Sequence, residues 1–314
     1  MAATTLASLN FGDDFWLKHL TAKIYDKVEF LTSGILQKTD DPRITGATGR
    51  FVDIPSYAEY TTSFERLTAA TDLGVNALSD IKDIGVWLEV GNAWGTEDWI
   101  RWIVGTDPRE EVANQLSAYI ARRIQEEFTG GVLTGVFATT LSSTHSTGAT
   151  YSGANIDENG VVAAKQLLGD AQDKLTRGVA NSKVLSDAVL RKIANYDLVG
   201  DTYQSGRIAN LLGVQMAADD NLSATASVYP TYFAAPSAAI YGFREGPKVK
   251  VERNELKAGG TEYLVLTGSV LIHIPGVKYA GLTKNPTKAQ LATGSNWSKV
   301  ENTKNIPIVE LKTL

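Results

Sequence analysis

The chain has 314 residues, 43% hydrophobic and 21% charged, enough to favour more than one buried core. Its 35 acidic and 30 basic residues leave a net charge of −5, which argues against a protein dedicated to gripping nucleic-acid phosphates. With no cysteine, disulfide frameworks, thiolate nucleophiles and cysteine zinc sites are excluded, and no apolar run approaches the ~18 residues of a membrane span.

The first residues, MAATTLASLNFGDDF, lack the basic and apolar regions of a secretory signal, so synthesis in the cytoplasm is expected. From 14 to 36, apolar residues at Leu17, Leu20, Ile24, Val28 and Leu31 recur at helical spacing. A polar break at Gly34 and at Lys38 to Pro42 then follows, so this stretch predicts an amphipathic arm that docks on something. Residues 46 to 90 are rich in Thr, Ser and Gly. They contain short extended runs, at 50–54, 63–67 and 85–90, with too few apolar positions to bury a core of their own. A long hairpin projecting from a globular body reads this way. Its charged residues are Arg50, Asp53, Glu59, Glu65, Arg66, Asp80, Lys82 and Asp83. Simple solvation explains them if the hairpin stands alone, and complementary contact with a second copy explains them if it does not.

A long helix comes next. Asp107 suits its N-cap, Pro108 its first position, and Glu110 completes a capping box. Val112, Leu116, Ile120, Ile124 and Phe128 recur every four residues along one side. Gly130 and Gly131 are the expected stop. The resulting helix, about 108–130, is roughly 33 Å long, about twice the usual length.

Thr139 to Gly153 is polar and of low complexity, and reads as a flexible loop. Residues 157–235 alternate helices (161–175, 182–195) with short strands (207–212, 214–218), an α/β pattern. From 238 to 278 the chain is strand-rich, and IPIVEL near the end predicts a final strand.

Chemistry-bearing patterns are sparse. His19, His145 and His273 stand far apart, without the spacing of a metal or catalytic set, and read as surface or packing residues. Asp219-Asp220 is the best carboxylate pair, but neighbours on a strand point to opposite faces. Trp87, Trp94, Trp99 and Trp102 read as core packing ahead of a stacking platform. No dinucleotide fingerprint, Walker lysine or nucleophile elbow is present. No catalytic residue, cofactor or metal is expected.

Several motifs together carry a resemblance. They are Ala93-Trp94 and Gly105 to Pro108 ahead of the long helix, Leu133 and Gly135 to Ala138 at its exit, Leu168-Gly169-Asp170, and Leu212-Gly213-Val214 before Asp219-Asp220. Tyr241-Gly242, Val251-Glu252-Arg253, Asn285-Pro286-Thr287, Asn296-Trp297, Lys304-Asn305-Ile306 and Val309-Glu310-Leu311 complete the ordered set. Over roughly 45–314 the chain resembles the major capsid proteins of tailed bacteriophages, whose fold is the Hong Kong phage type. The family's pattern is interrupted at Thr267-Gly268, at Ala180-Asn181-Ser182 and in the turn His273-Ile274-Pro275.

That resemblance implies an α+β fold in four parts. These are an N-terminal arm (1–45), an extended loop (46–90), a peripheral domain (91–150 and 241–276) holding the spine helix, and an axial domain (151–240 and 277–314). It implies hexamers and pentamers of one chain closing into an icosahedral shell around double-stranded DNA, without sequence-specific binding or a membrane. Portal and scaffolding proteins, and in some members a decoration protein, are the implied partners. An encapsulin-like protein cage and a soluble hydrolase built on Asp219-Asp220 are the alternatives.

Overall fold

The computed structural model describes residues 30, 33–47, 49–58, 62–66, 74–77, 79–97, 108–148, 155–196, 209–222, 227–254, 256 and 260–314. The expected arm helix up to residue 29, the Asp107 cap, Trp99, Trp102, His19 and Glu59 lie outside them.

A short strand, β1 (Leu36–Lys38), leads into a single helical turn, α1 (Pro42–Thr45). Strands β2 (Phe51–Tyr57) and β3 (Asp80–Glu97) follow. Beyond them runs the long helix α2 (Pro108–Glu127). Helix α3 (Glu158–Gln166), strand β4 (Arg177–Ala180), helix α4 (Ser182–Leu190) and strands β5 (Ala194–Tyr196), β6 (Ala209–Leu211) and β7 (Val214–Ala218) come next. The remainder holds β8 (Tyr229–Ala234), β9 (Ala239–Asn254), β10 (Thr261–His273), β11 (Val277–Tyr279), the short α5 (Lys288–Leu291), β12 (Trp297–Lys299) and β13 (Ile308–Thr313).

Two sheets organise these elements. The first has the order β1-β9-β10-β3-β2, and the second the order β13-β8-β4-β7-β6-β5. The final strand predicted from IPIVEL is β13, which closes the second sheet against β8. β3 is the member that gives the first sheet its shape. From Trp87 to Glu97 it pairs with β10, whereas from Asp80 to Val86 it pairs with β2. The same strand is therefore part of the body sheet and one leg of a two-stranded hairpin. Pro55 sits on the hairpin's outer edge, where a missing N–H costs no ladder bond.

The stripe on α2 is buried as its spacing predicts: Leu116, Ile120, Ile124 and Phe128 all enter the largest core, with Phe30 edge-on to Phe128 at 5.0 Å. The expected stop at Gly130-Gly131 is corrected. The helix continues in π geometry from Phe128 to Leu133 and again from Val136 to Thr140. The glycines serve close approach instead of termination. A Cβ at Gly131 would meet the Leu291 side chain at 3.2 Å, and one at Gly135 would lie 2.0 Å from the Leu291 carbonyl oxygen. Trp297 closes this contact by donating its indole N–H to the Leu291 carbonyl at 2.7 Å. The widened backbone is where the C-terminal segment packs against the helix.

A second core gathers under the other sheet from Val161, Val184, Leu185, Val214, Phe233 and Leu311, among others. Where a polar flexible loop was expected after the helix, residues 141–148 are pinned. His145 is fully buried, with its Nε2–H directed at the Thr303 carbonyl (3.0 Å) and Nδ1 facing the Thr144 hydroxyl (2.8 Å). Ser146 donates to the Glu310 carboxylate at 2.7 Å, and Thr147 N–H to the Glu310 carbonyl at 3.1 Å. Burial pushes the Glu310 carboxyl above the usual range, with Ser146 and Lys312 pulling it back, and pushes the His145 imidazole below its own.

Candidate subunit-contact surface

The β2–β3 hairpin is built so that its two faces differ. Along it Val52 opposes Gly85 and Ile54 opposes Asp83, while Asp53 opposes Ile84, Pro55 opposes Lys82 and Tyr57 opposes Asp80. Because successive strand residues alternate faces, Val52, Ile54, Asp83 and Gly85 share the inner face, and Asp53, Tyr57, Asp80 and Lys82 the outer one. The inner face joins a small core of Ile44, Val52, Trp87 and Leu271. The outer residues are exposed. At the far end of the hairpin, Phe64 and Val75 are fully exposed, at 104% and 100%. Glu65 and Arg66 are exposed beside them, and the Glu65 carboxylate accepts from Gly74 N–H at 2.9 Å.

Asp83 belongs elsewhere. Expected with its charged neighbours at a contact with a second copy, it is instead 2% exposed and bonded within the chain. One carboxylate oxygen accepts from His273 Nε2–H at 3.0 Å and the other from Gly276 N–H at 2.9 Å. The Gly276 carbonyl in turn accepts from Val300 and Glu301 N–H, and the Glu301 carboxylate accepts from the Ser56 hydroxyl of β2 at 2.7 Å. Both hairpin strands are thus clasped to the C-terminal segment where β10 ends. A few residues further along β3, the Asn285 side chain accepts from Glu89 N–H at 2.9 Å and donates to the Glu89 carbonyl at 3.3 Å. Arg50, expected at the same contact, forms an ion pair with Glu89 at this base. Sequence reading missed Glu301 and Asn285, and assigned His273 no role beyond packing.

The carboxylate pair does not converge. Asp219 is buried and takes hydrogen bonds from the Gln125 side chain of α2 and from Asn221 N–H, whereas Asp220 is exposed and accepts from Ser182 N–H at the start of α4. Among the described residues no group of three or more His, Cys, Asp or Glu is placed to hold a metal ion.

A long helix on a sheet, a second mixed domain and a clasped, outward-reaching hairpin define a capsid subunit of the Hong Kong phage type. Solved capsids share this arrangement. The capsid asymmetric unit of cyanophage Pam1 superposes with a TM-score of 0.57 at 12% identity, over 80% of this chain and 88% of that one. The chain from Microbacterium phage Oxtober96 gives 0.57 at 13%, over 99% and 95%. The capsid of a native GTA particle gives 0.54 at 13%, over 91% and 89%. The family model of the Gp13-like major capsid proteins ("Major capsid protein 13-like") matches residues 45–307, and the chain belongs to that family. The major capsid protein of Bacillus phage SPP1 is 26% identical over 303 residues, 90% of each chain. These relatives favour the viral shell over an encapsulin-like cage or a hydrolase. The chain is a structural protein of a tailed-phage capsid, formed from repeated copies.

Proposed function

We propose that copies of this chain tile the head by laying the β2–β3 hairpin over a neighbour, through Asp53, Glu65, Arg66, Asp80, Lys82 and the hairpin tip. The single observation that carries this reading is the fully exposed Phe64 and Val75 at the end of a hairpin whose base is rigidly clasped. Large apolar groups held out in water on a directed limb favour a partner surface, because their burial is the main drive for association. The hairpin is the extended loop of the four-part division, with residues 1–45 as an arm, the first sheet and α2 as the peripheral domain and the second sheet as the axial domain. Hexamers and pentamers close around double-stranded DNA, and the net charge of −5 suits enclosing DNA without gripping it. A portal and a scaffolding protein complete the assembly. The chain is made in the host cytoplasm and works in the virion.

Negative-stain imaging tests this reading. The wild-type chain forms closed shells, whereas Phe64→Asp stays unassembled with an unchanged circular dichroism spectrum. Normal shells from Phe64→Asp would show that the tip is not a contact.

A further inference from the structure

One long helix serves both sheets of this subunit. Ile120 and Ile124 of α2 share a groove with Leu266 and Val270 of the first sheet. Past Glu127, where the helix continues, the Phe137 ring stands 5.3 Å from that of Tyr232 on β8 of the second sheet. A single apolar core runs through all of these residues. Apolar contact is non-directional, so it holds the sheets to the helix without fixing the angle between them. A directional bond can fix it, and the helix carries one between its two sets of apolar contacts.

Gln125 of α2 donates its side-chain N–H to the carboxylate of Asp219, just past β7, and both residues are buried. Each end of this bond is itself held. The Asp219 carboxylate also accepts from Asn221 N–H at 2.9 Å, its N–H donates to the Ala180 carbonyl at 2.9 Å, and its carbonyl accepts from Leu222 N–H at 3.2 Å. The Asn181 side chain donates to the Leu222 carbonyl at 3.1 Å and Asp220 accepts from Ser182 N–H, which ties the turn to the start of α4. On the helix, the Thr129 hydroxyl donates to the Gln125 carbonyl at 2.9 Å. Two uncharged donors thus converge on Asp219 from different parts of the subunit. Only a carboxylate accepts on both of its oxygens; an amide there would turn an N–H toward one donor. Burying a carboxylate between neutral donors costs stability, so what this one contributes is geometry.

We infer that Asp219 is a positioning residue for assembly: through Gln125 it sets the angle between the two sheets, and with it the curvature of the shell. Closure requires that the contacts of every copy stand at one fixed angle, and a small error repeated at each copy changes the size of the particle or leaves it open. The inference rests on the assembly of repeated copies into a shell and is independent of where the hairpin tip binds.

Shell diameters in negative stain and melting of the unassembled subunit, read together, test this. Wild-type shells share one diameter. Asp219→Asn gives a spread of diameters and unclosed particles. Adding Gln125→Glu re-forms the bond with donor and acceptor exchanged, keeps an acceptor for Asn221 N–H, leaves the net charge unchanged and restores the single diameter. One diameter from Asp219→Asn, even with a lowered melting temperature, marks a bond that only stabilises the subunit and overturns the inference. A spread that the double variant leaves uncorrected overturns it as well. If Asp219→Asn does not fold, the swapped double variant decides alone: a folded subunit with shells of one diameter supports the inference, and any other result overturns it.

Discussion

The C-terminal junction of α2 and the β2–β3 hairpin both rest on contacts with the C-terminal segment, but only the hairpin also reaches away from it. At the junction, glycines let backbone meet backbone: Gly131 and Gly135 sit against Leu291, and Trp297 seals the contact with its indole N–H. These contacts are all made within the chain. The hairpin is held to the body in this way at its base, through Asp83, His273, Gly276, Glu301 and Ser56. Its outer face and tip show charge and bare apolar surface to solvent. The difference separates residues that make the subunit from residues that join subunits, and substitutions can tell the two apart.

The largest effect is expected where the body is tightest. In Gly135→Ala the added methyl lies 2.0 Å from the Leu291 carbonyl oxygen and 2.6 Å from Trp297 Nε1, both held in a mutual hydrogen bond. Backbone must move, and the loss is about 3 kcal/mol, the upper end for overpacking. Thermal melting of the unassembled protein reads it; an unchanged melting temperature would mean that the junction is looser than described.

Asp83→Ala sits at the border of the two regions. It leaves buried donors on His273 and Gly276 without their acceptor, at a cost of about 2 kcal/mol. Hydrogen exchange should rise along both hairpin strands while α2 keeps its protection. If exchange rises evenly over the whole chain, the clasp is a general core feature and does not aim the hairpin.

These two sites also show what the sequence made legible. The spine helix was readable because Leu116, Ile120, Ile124 and Phe128 repeat at one local spacing, and local spacing is all that a helix needs. The hairpin was readable from its composition. The continuation of the helix past Gly130 was not, since a glycine that ends a helix and one that admits a neighbour look alike until Leu291 is in place. The clasp was hidden for the same reason. Asp83 and His273 are 190 residues apart, and no periodicity links them. Asp83 looked like its charged neighbours because the inner face of the hairpin had no visible partner in the sequence.

A smaller, pH-dependent effect comes from His145. Its Nε2 faces a carbonyl and therefore carries the proton, and burial holds the ring neutral in the folded chain below its ordinary pKa. As pH falls below about 6.5, the unfolded chain takes up a proton that the folded one refuses, so stability is lost. Glu310 acts in the opposite sense, because its folded pKa is raised and the fold binds that proton first. Comparing wild type with His145→Gln at each pH cancels the Glu310 contribution. The wild type should lose stability relative to the variant as the solution is acidified from pH 7 toward 5. Parallel curves would contradict the neutral buried ring.

The smallest effect on the fold should still be felt in assembly. Asp80 and Lys82 are exposed on the outer face of β3, and neither side chain enters a buried core. Reversing both, Asp80→Lys with Lys82→Glu, keeps the net charge and changes subunit stability by no more than about 0.5 kcal/mol, as for most surface substitutions. In a shell the same change recurs at every copy, so a mismatch too weak to matter in a single subunit accumulates over the whole lattice. Melting of the unassembled variant should therefore match wild type while shell yield falls, more steeply at low salt, where exposed charges are least screened. An assembly defect that persists undiminished in molar salt would point to hairpin shape, and normal yield at every salt concentration would restrict the contact to the apolar tip.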